Sequence, residues 1–93
     1  MNLSYASSFL RQVKKCDPFL QEEVFTAIEI FQQNPHHPSL KTHKLQGKLA
    51  GRWSFSVNYK IRIVFEYLSK ESVVLLAIGS HDVYKRYKLA LSP

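Results

Sequence analysis

Three apolar runs, at 53–57, 61–67 and 72–79, follow one another with only residues 58–60 and 68–71 between them, where Asn58–Tyr59 and Ser69–Lys70–Glu71 supply the breaks. In the first, Trp53, Phe55 and Val57 alternate with Ser54 and Ser56. In the second, Ile61, Ile63, Phe65 and Tyr67 alternate with Arg62, Val64 and Glu66. A period of two is the mark of a strand with one buried face, and breaks this short leave room only for antiparallel neighbours. The third run, SVVLLAIG, is apolar at nearly every position, so its strand needs cover on both faces and belongs inside the sheet. Alternation also sets Ser54, Ser56 and Arg62 on the face opposite the large apolar side chains.

The first third of the chain has helical spacing instead. Over 7–16, Phe9, Leu10 and Val13 recur at three- and four-residue steps, with Ser7 placed to cap. In DPFLQEEVFTAIEIFQQNP, Asp17 caps, Pro18 suits the first turn, Leu20, Val24, Ala27, Ile28 and Phe31 form one stripe, and Asn34–Pro35 ends the pattern. Two helices this close in sequence form an antiparallel hairpin. Residues 1–4 have length only for a short strand or a tail. Residues 36–51 show neither period and are expected to form a long loop, holding at most a turn of helix or the first residue of a strand. Structureless segments of that length are often functional. The expected fold is α+β: a single domain, 1–93, in the order β-α-α-β-β-β, with the two-helix hairpin packed on one face of a small antiparallel sheet.

Charge divides the chain. Residues 1–35 carry a net −1 and residues 36–93 a net +7, within a total of +6. A basic half fits a polyanionic partner, nucleic acid before membrane, because no basic amphipathic helix accompanies it; a merely soluble basic surface is the plainer reading. The single cysteine, Cys16, has no partner for an internal disulfide and reads as a small buried filler. No apolar run spans a bilayer and no cationic segment leads into an apolar one, so a cytoplasmic location is expected. His36 and His37 adjoin Pro38 without a carboxylate or thiol at ligand spacing, and no metal or other cofactor is expected.

The stretch AIGSHDVYKRYK, 77–88, then ends a strand at Gly79 and presents His81, Asp82 and Tyr84 beside Lys85, Arg86 and Lys88. Together with HKLQGKLAGRW (43–53) and the strand IRIVF with its arginine, this end resembles the RelE/ParE toxin superfamily, and within it the RelE/YafQ/YoeB-like messenger-RNA interferases. The resemblance spans nearly the whole chain in layout. It departs from the pattern at two places: relatives commonly carry His-Asp-x-Val-Tyr where this chain has the shorter His81–Tyr84 spacing, and YafQ-like members carry Asp and Trp where Lys60 and Ile61 stand.

The resemblance implies the toxin of a type II toxin-antitoxin system, with a cognate antitoxin that wraps it. Its action would be ribosome-dependent, metal-free endoribonuclease cleavage of mRNA through the RNA's own 2′-hydroxyl. It assigns His43 to a position for an acid or base, Arg62 to phosphate contact, His81 to the C-terminal catalytic histidine and Tyr84 to the aromatic that orients the RNA. Lys41, Lys44, Lys48, Arg52, Lys85 and Arg86 would contact messenger or ribosomal RNA, and operator DNA would be reached only through the antitoxin complex. The residue types suit that reaction independently: imidazoles move protons near neutrality and a guanidinium holds two phosphate oxygens. Taken singly, each histidine reads more simply as a turn or surface residue, Trp53 as a core anchor by parity, and Asp82 as the cap of a turn. Two alternatives share the expected fold: a ParE-like inhibitor of DNA gyrase, and a catalytically degenerate antitoxin-binding module.

Overall fold

The computed structural model describes residues 1–80, apart from the side chain of Lys48. Five strands form one sheet in the order β1-β5-β4-β3-β2: β1 (Asn2–Tyr5), β2 (His43–Lys44), β3 (Trp53–Ser56), β4 (Arg62–Tyr67) and β5 (Ser72–Gly79). The three-strand meander is present, and its last strand is internal, paired with β4 on one side and β1 on the other. The sheet is mixed rather than wholly antiparallel, since β1 runs parallel to β5 with Leu3 opposite Val73. The helical hairpin supplies the crossover that a parallel pair requires. Its helices are α1 (Ser7–Lys14) and α2 (Pro18–Gln33).

One face of the sheet carries the main core. Phe31 of α2 stacks on Phe55 at 4.5 Å and meets the edge of Phe65 at 4.8 Å, with Val24, Ala27 and Ile28 buried along the same stripe. Asp17 caps α2 by accepting from the Leu20 N–H at 3.0 Å, and Pro18 occupies its first turn. The cap of α1 differs from expectation: the helix begins at Ser7, and Ala6 precedes it without a side-chain cap. Ser8 instead donates to the Leu76 carbonyl at 2.8 Å, and Gln12 Oε1 accepts from the Ile78 N–H at 2.8 Å. Those two bonds set the roll of α1 against β5, burying Phe9 and leaving Leu10 47% exposed. Leu10 is thus outside the stripe that spacing assigns it to.

The bonds from Ser8 and Gln12 fall at an irregularity of the β4–β5 ladder. Val64 pairs with Ala77 and Phe65 with Leu75, so Leu76 has no residue opposite it. An extra residue takes main-chain groups out of the ladder; Ser8 of α1 satisfies the Leu76 carbonyl, and Gln12 the Ile78 N–H two residues on. Cys16 is half-buried at the end of the hairpin; burial, aided by the carboxylate of Asp17, pushes its thiol pKa up.

The segment expected as a loop is tightly bonded. Residues Pro38–Leu40 form a 3-10 turn capped by His37, with Leu40 buried in the core, and Thr42 Oγ1 donates to the Pro35 carbonyl at 2.5 Å. The chain then pairs His43 with Ser54 and Lys44 with Trp53 as strand β2, makes a second 3-10 turn at Gly47–Leu49, and returns as β3. Gly47 and Gly51 hold φ of +67° and +91°, and a Cβ at either would meet nothing within 4 Å. Backbone conformation, not space, calls for glycine at both turns of this hairpin. Leu49 is buried between them.

Candidate functional site

The ladder register lays out the sheet face that the helices do not cover. His43, Ser54, Val64 and Ala77 lie in one row across β2, β3, β4 and β5; Ser56, Arg62 and Gly79 form the next row. His43 and Arg62 therefore share a face, offset by two strands and one row. With strands ~4.8 Å apart and residues ~3.4 Å apart along a strand, their backbones are separated by roughly 12 Å. The centre of the face is apolar: Val64 and Ala77 are buried and pack with Leu45 and Leu76.

Arg62 does not extend freely over this face. Its Nη1 donates to the Asn58 carbonyl at 2.6 Å and lies 3.3 Å from the Ile61 carbonyl, which folds the side chain against the β3–β4 turn. Asn58 holds that turn in shape, its Oδ1 accepting from the N–H groups of Lys60 and Ile61 at 2.9 and 2.8 Å. Tethering one end of a guanidinium orients the remaining donors, and among the described residues Nε and Nη2 of Arg62 have no hydrogen-bond partner.

His43 is exposed, with Nδ1 2.9 Å from the Lys41 main-chain oxygen. A carbonyl only accepts, so in the neutral ring Nδ1 carries the hydrogen and Nε2 carries the lone pair, turned outward. Lys41 ends the 3-10 turn at φ 49° and ψ 41°, and it is the only non-glycine with positive φ among the described residues. This left-handed conformation aims its carbonyl at the ring. The two other histidines of the segment serve the loop: His37 Nδ1 accepts from the Ser39 N–H at 3.1 Å, and the His36 ring meets Trp53 edge-on at 6.2 Å.

The cations sort by face. Arg52 bonds Glu66 at 3.2 Å in the row beyond His43. Lys44, next to His43 in a strand, projects the other way, its ammonium 5.4 Å from the ring centre of Trp53. Trp53 stacks on Phe65 and meets Tyr67 edge-on on the helix side, the anchor role its parity implies. Burial raises the Tyr67 pKa. His81, Asp82, Tyr84, Lys85 and Arg86 lie outside the described residues; β5 ends at Gly79, directly opposite Arg62. Among the described residues no group of three or more His, Cys, Asp or Glu is placed to hold a metal, and no helix is long and apolar enough to cross a membrane.

Two helices on a five-stranded mixed sheet, with the helical hairpin inserted before the meander, define the RelE/ParE toxin fold, and this chain has it. Among solved structures, it is similar to the YoeB/ParE toxin from Agrobacterium tumefaciens, with a TM-score of 0.73 at 20% identity over 87% of this chain and 99% of that one. It is also similar to YafQ from E. coli strain BL21(DE3), TM-score 0.66, 18% identity, 89% and 96% covered. The YoeB–YefM complex from Staphylococcus aureus gives a TM-score of 0.70 at 15% identity, 87% and 97% covered. No protein-family model and no curated protein sequence matches the chain. At these identities the likeness is one of fold.

Proposed function

We infer that the chain is the toxin of a toxin-antitoxin pair and a ribosome-dependent endoribonuclease that cuts messenger RNA through its own 2′-hydroxyl. The observation that carries this reading is the register: His43 and Arg62 on the sheet face that the helices do not cover, with Arg62 opposite Gly79, two residues before His81. His43 Nε2 takes the proton of the 2′-hydroxyl as its oxygen attacks the adjacent phosphorus. The bond to the 5′-oxygen breaks, and that oxygen leaves with a proton from His81, giving a 2′,3′-cyclic phosphate and a 5′-hydroxyl end. Arg62 holds the non-bridging oxygens while charge accumulates on them, a role worth about 3 to 4 kcal/mol when one such donor is lost. Each proton transfer contributes about 10²- to 10⁴-fold. Tyr84 would stack on or orient the RNA, and Lys41, Lys48, Arg52, Lys85 and Arg86 would follow its backbone. Lys44, turned toward Trp53, would reach only RNA or ribosome that extends past the edge of the sheet.

A cognate antitoxin is the partner expected of this fold, in keeping with the YoeB–YefM complex among its structural neighbours. Induction of the chain in bacteria, followed by mapping of messenger-RNA 5′ ends, tests the reading. Cuts that vanish when translation initiation is blocked are expected. Filamentation with intact transcripts would instead identify a gyrase inhibitor, and no growth arrest a degenerate binding module.

A further inference from the structure

Two adjoining hollows, about 630 and 470 Å³, run along the outer flank of α2. The first lies between Phe19, Glu23 and Ile30 of the helix and Val57 beyond β3; the second lies between Asp17, Phe19 and Glu23 and the turn residue Tyr59. Sharing Phe19 and Glu23, they make one groove from the start of α2 to Ile30, about 20 Å at the helical rise of 1.5 Å per residue. Phe19 is 85% and Tyr59 83% exposed, so both rings stand outside the core. Exposed aromatic side chains clustered beside a groove mark an interaction surface.

The sign of the groove narrows its occupant. Asp17, Glu22 and Glu23 line it against a single cation, Lys60, in a chain whose net charge is +6. Ribosomal or messenger RNA is repelled from such a strip, whereas lysine or arginine side chains are attracted to it. The backbone narrows it further. Strand β3 is paired on both sides, and the Val57 N–H already donates to the Ile61 carbonyl at 2.9 Å, so an incoming strand finds no main-chain partners along the groove. A helix satisfies its own backbone and needs none.

We propose that this groove binds an amphipathic helix of a partner protein, its apolar stripe on Phe19, Ile30 and Val57 and its flanking lysines or arginines against Glu22 and Glu23. The surface runs along α2 and meets the surroundings of Arg62 only at the β3–β4 turn, where Asn58 and Ile61 line the second hollow, and the proposal holds whether or not the chain cuts RNA. The probe is a pair of synthetic helical peptides of about 14 residues, the length the groove accommodates. Both carry leucine at helical spacing; one has lysine flanks and the other glutamate at the same positions. Net charge alone would make the +6 chain prefer the glutamate peptide. Titrations of the ¹⁵N-labelled protein should give the reverse, with shifts at Phe19, Glu23, Val57 and Tyr59. Phe19→Ser, which alters only an exposed side chain, and the double reversal Glu22→Lys/Glu23→Lys should each weaken the lysine peptide about tenfold or more. Tighter binding of the glutamate peptide, shifts confined to the basic face, or no binding of either peptide would overturn the proposal.

Discussion

The imidazole of His43 is oriented by the main chain of Lys41: Nδ1 sits 2.9 Å from a carbonyl whose direction is set by a left-handed residue at φ 49°. The ring's lone pair is thereby directed outward from the sheet edge, and the device depends on the conformation of Lys41 rather than on its ammonium.

Substitution at position 41 separates these two contributions. Glycine adopts the left-handed region freely, so Lys41→Gly should keep the Nδ1–H tautomer and leave stability within about 1 kcal/mol. Lys41→Val, β-branched at a positive φ, should cost about 1 to 3 kcal/mol and release the ring to a tautomer mixture. Ring ¹⁵N shifts of His43 read the tautomer and chemical denaturation reads the stability.

The role proposed for Arg62 depends on its fork. A lysine can be held by the Asn58 carbonyl or can face a phosphate, but as a single point it does not do both. Arg62→Lys should leave the melting temperature almost unchanged and lower single-turnover cleavage of ribosome-bound messenger about 10²- to 10³-fold, the range for losing one transition-state donor. Equal cleavage by the lysine variant would show that charge alone suffices.

The tie between α1 and the irregular part of β5 links stability to the site. Gln12→Leu leaves the Ile78 N–H without its acceptor, and a buried donor left unpaired costs about 1 to 3 kcal/mol. Faster amide exchange at Ile78 is expected, together with weaker cleavage, because the next residue, Gly79, faces Arg62.

Phe31 is the keystone of the main core, stacked on Phe55 and edge-on to Phe65 with no exposure. Phe31→Ala should cost about 3 to 5 kcal/mol, most of the stability of so small a domain. Thermal unfolding followed by circular dichroism should show the transition lowered by about 12 °C or more, since ~1 kcal/mol moves the midpoint of a domain this size by ~4 to 8 °C.

Most of this architecture was legible in residue spacing. The alternation at 53–57 and 61–67 located β3 and β4 and put Arg62 opposite the core side chains, while Asp17–Pro18 and Asn34–Pro35 bounded α2. What spacing could not supply was non-local. Residues 2–5 carry no pattern that selects β5 as a parallel neighbour, since that choice depends on where the hairpin returns the chain. A two-residue strand such as β2 is too short to show a period, so its consequence, that His43 and Lys44 face opposite ways, stayed hidden. Leu10 kept helical spacing yet faces solvent because Ser8 and Gln12 bind β5 and turn the helix. The tethers of Arg62 to Asn58 and of His43 to Lys41 join side chains to main-chain oxygens, for which residue identity gives no signal. Two glycines in the 43–53 run did give one, and their positive φ values account for it.

The termini of cut messenger RNA test the central claim most directly. Ribosomes programmed with a defined message and incubated with the purified chain should yield fragments with a 2′,3′-cyclic phosphate or 3′-phosphate on one side and a 5′-hydroxyl on the other. A message containing 2′-O-methyl at the cut position should stay whole. Fragments with 5′-phosphate and 3′-hydroxyl ends, or cleavage that persists after methylation, would contradict attack by the 2′-oxygen and with it the roles given to His43 and Arg62.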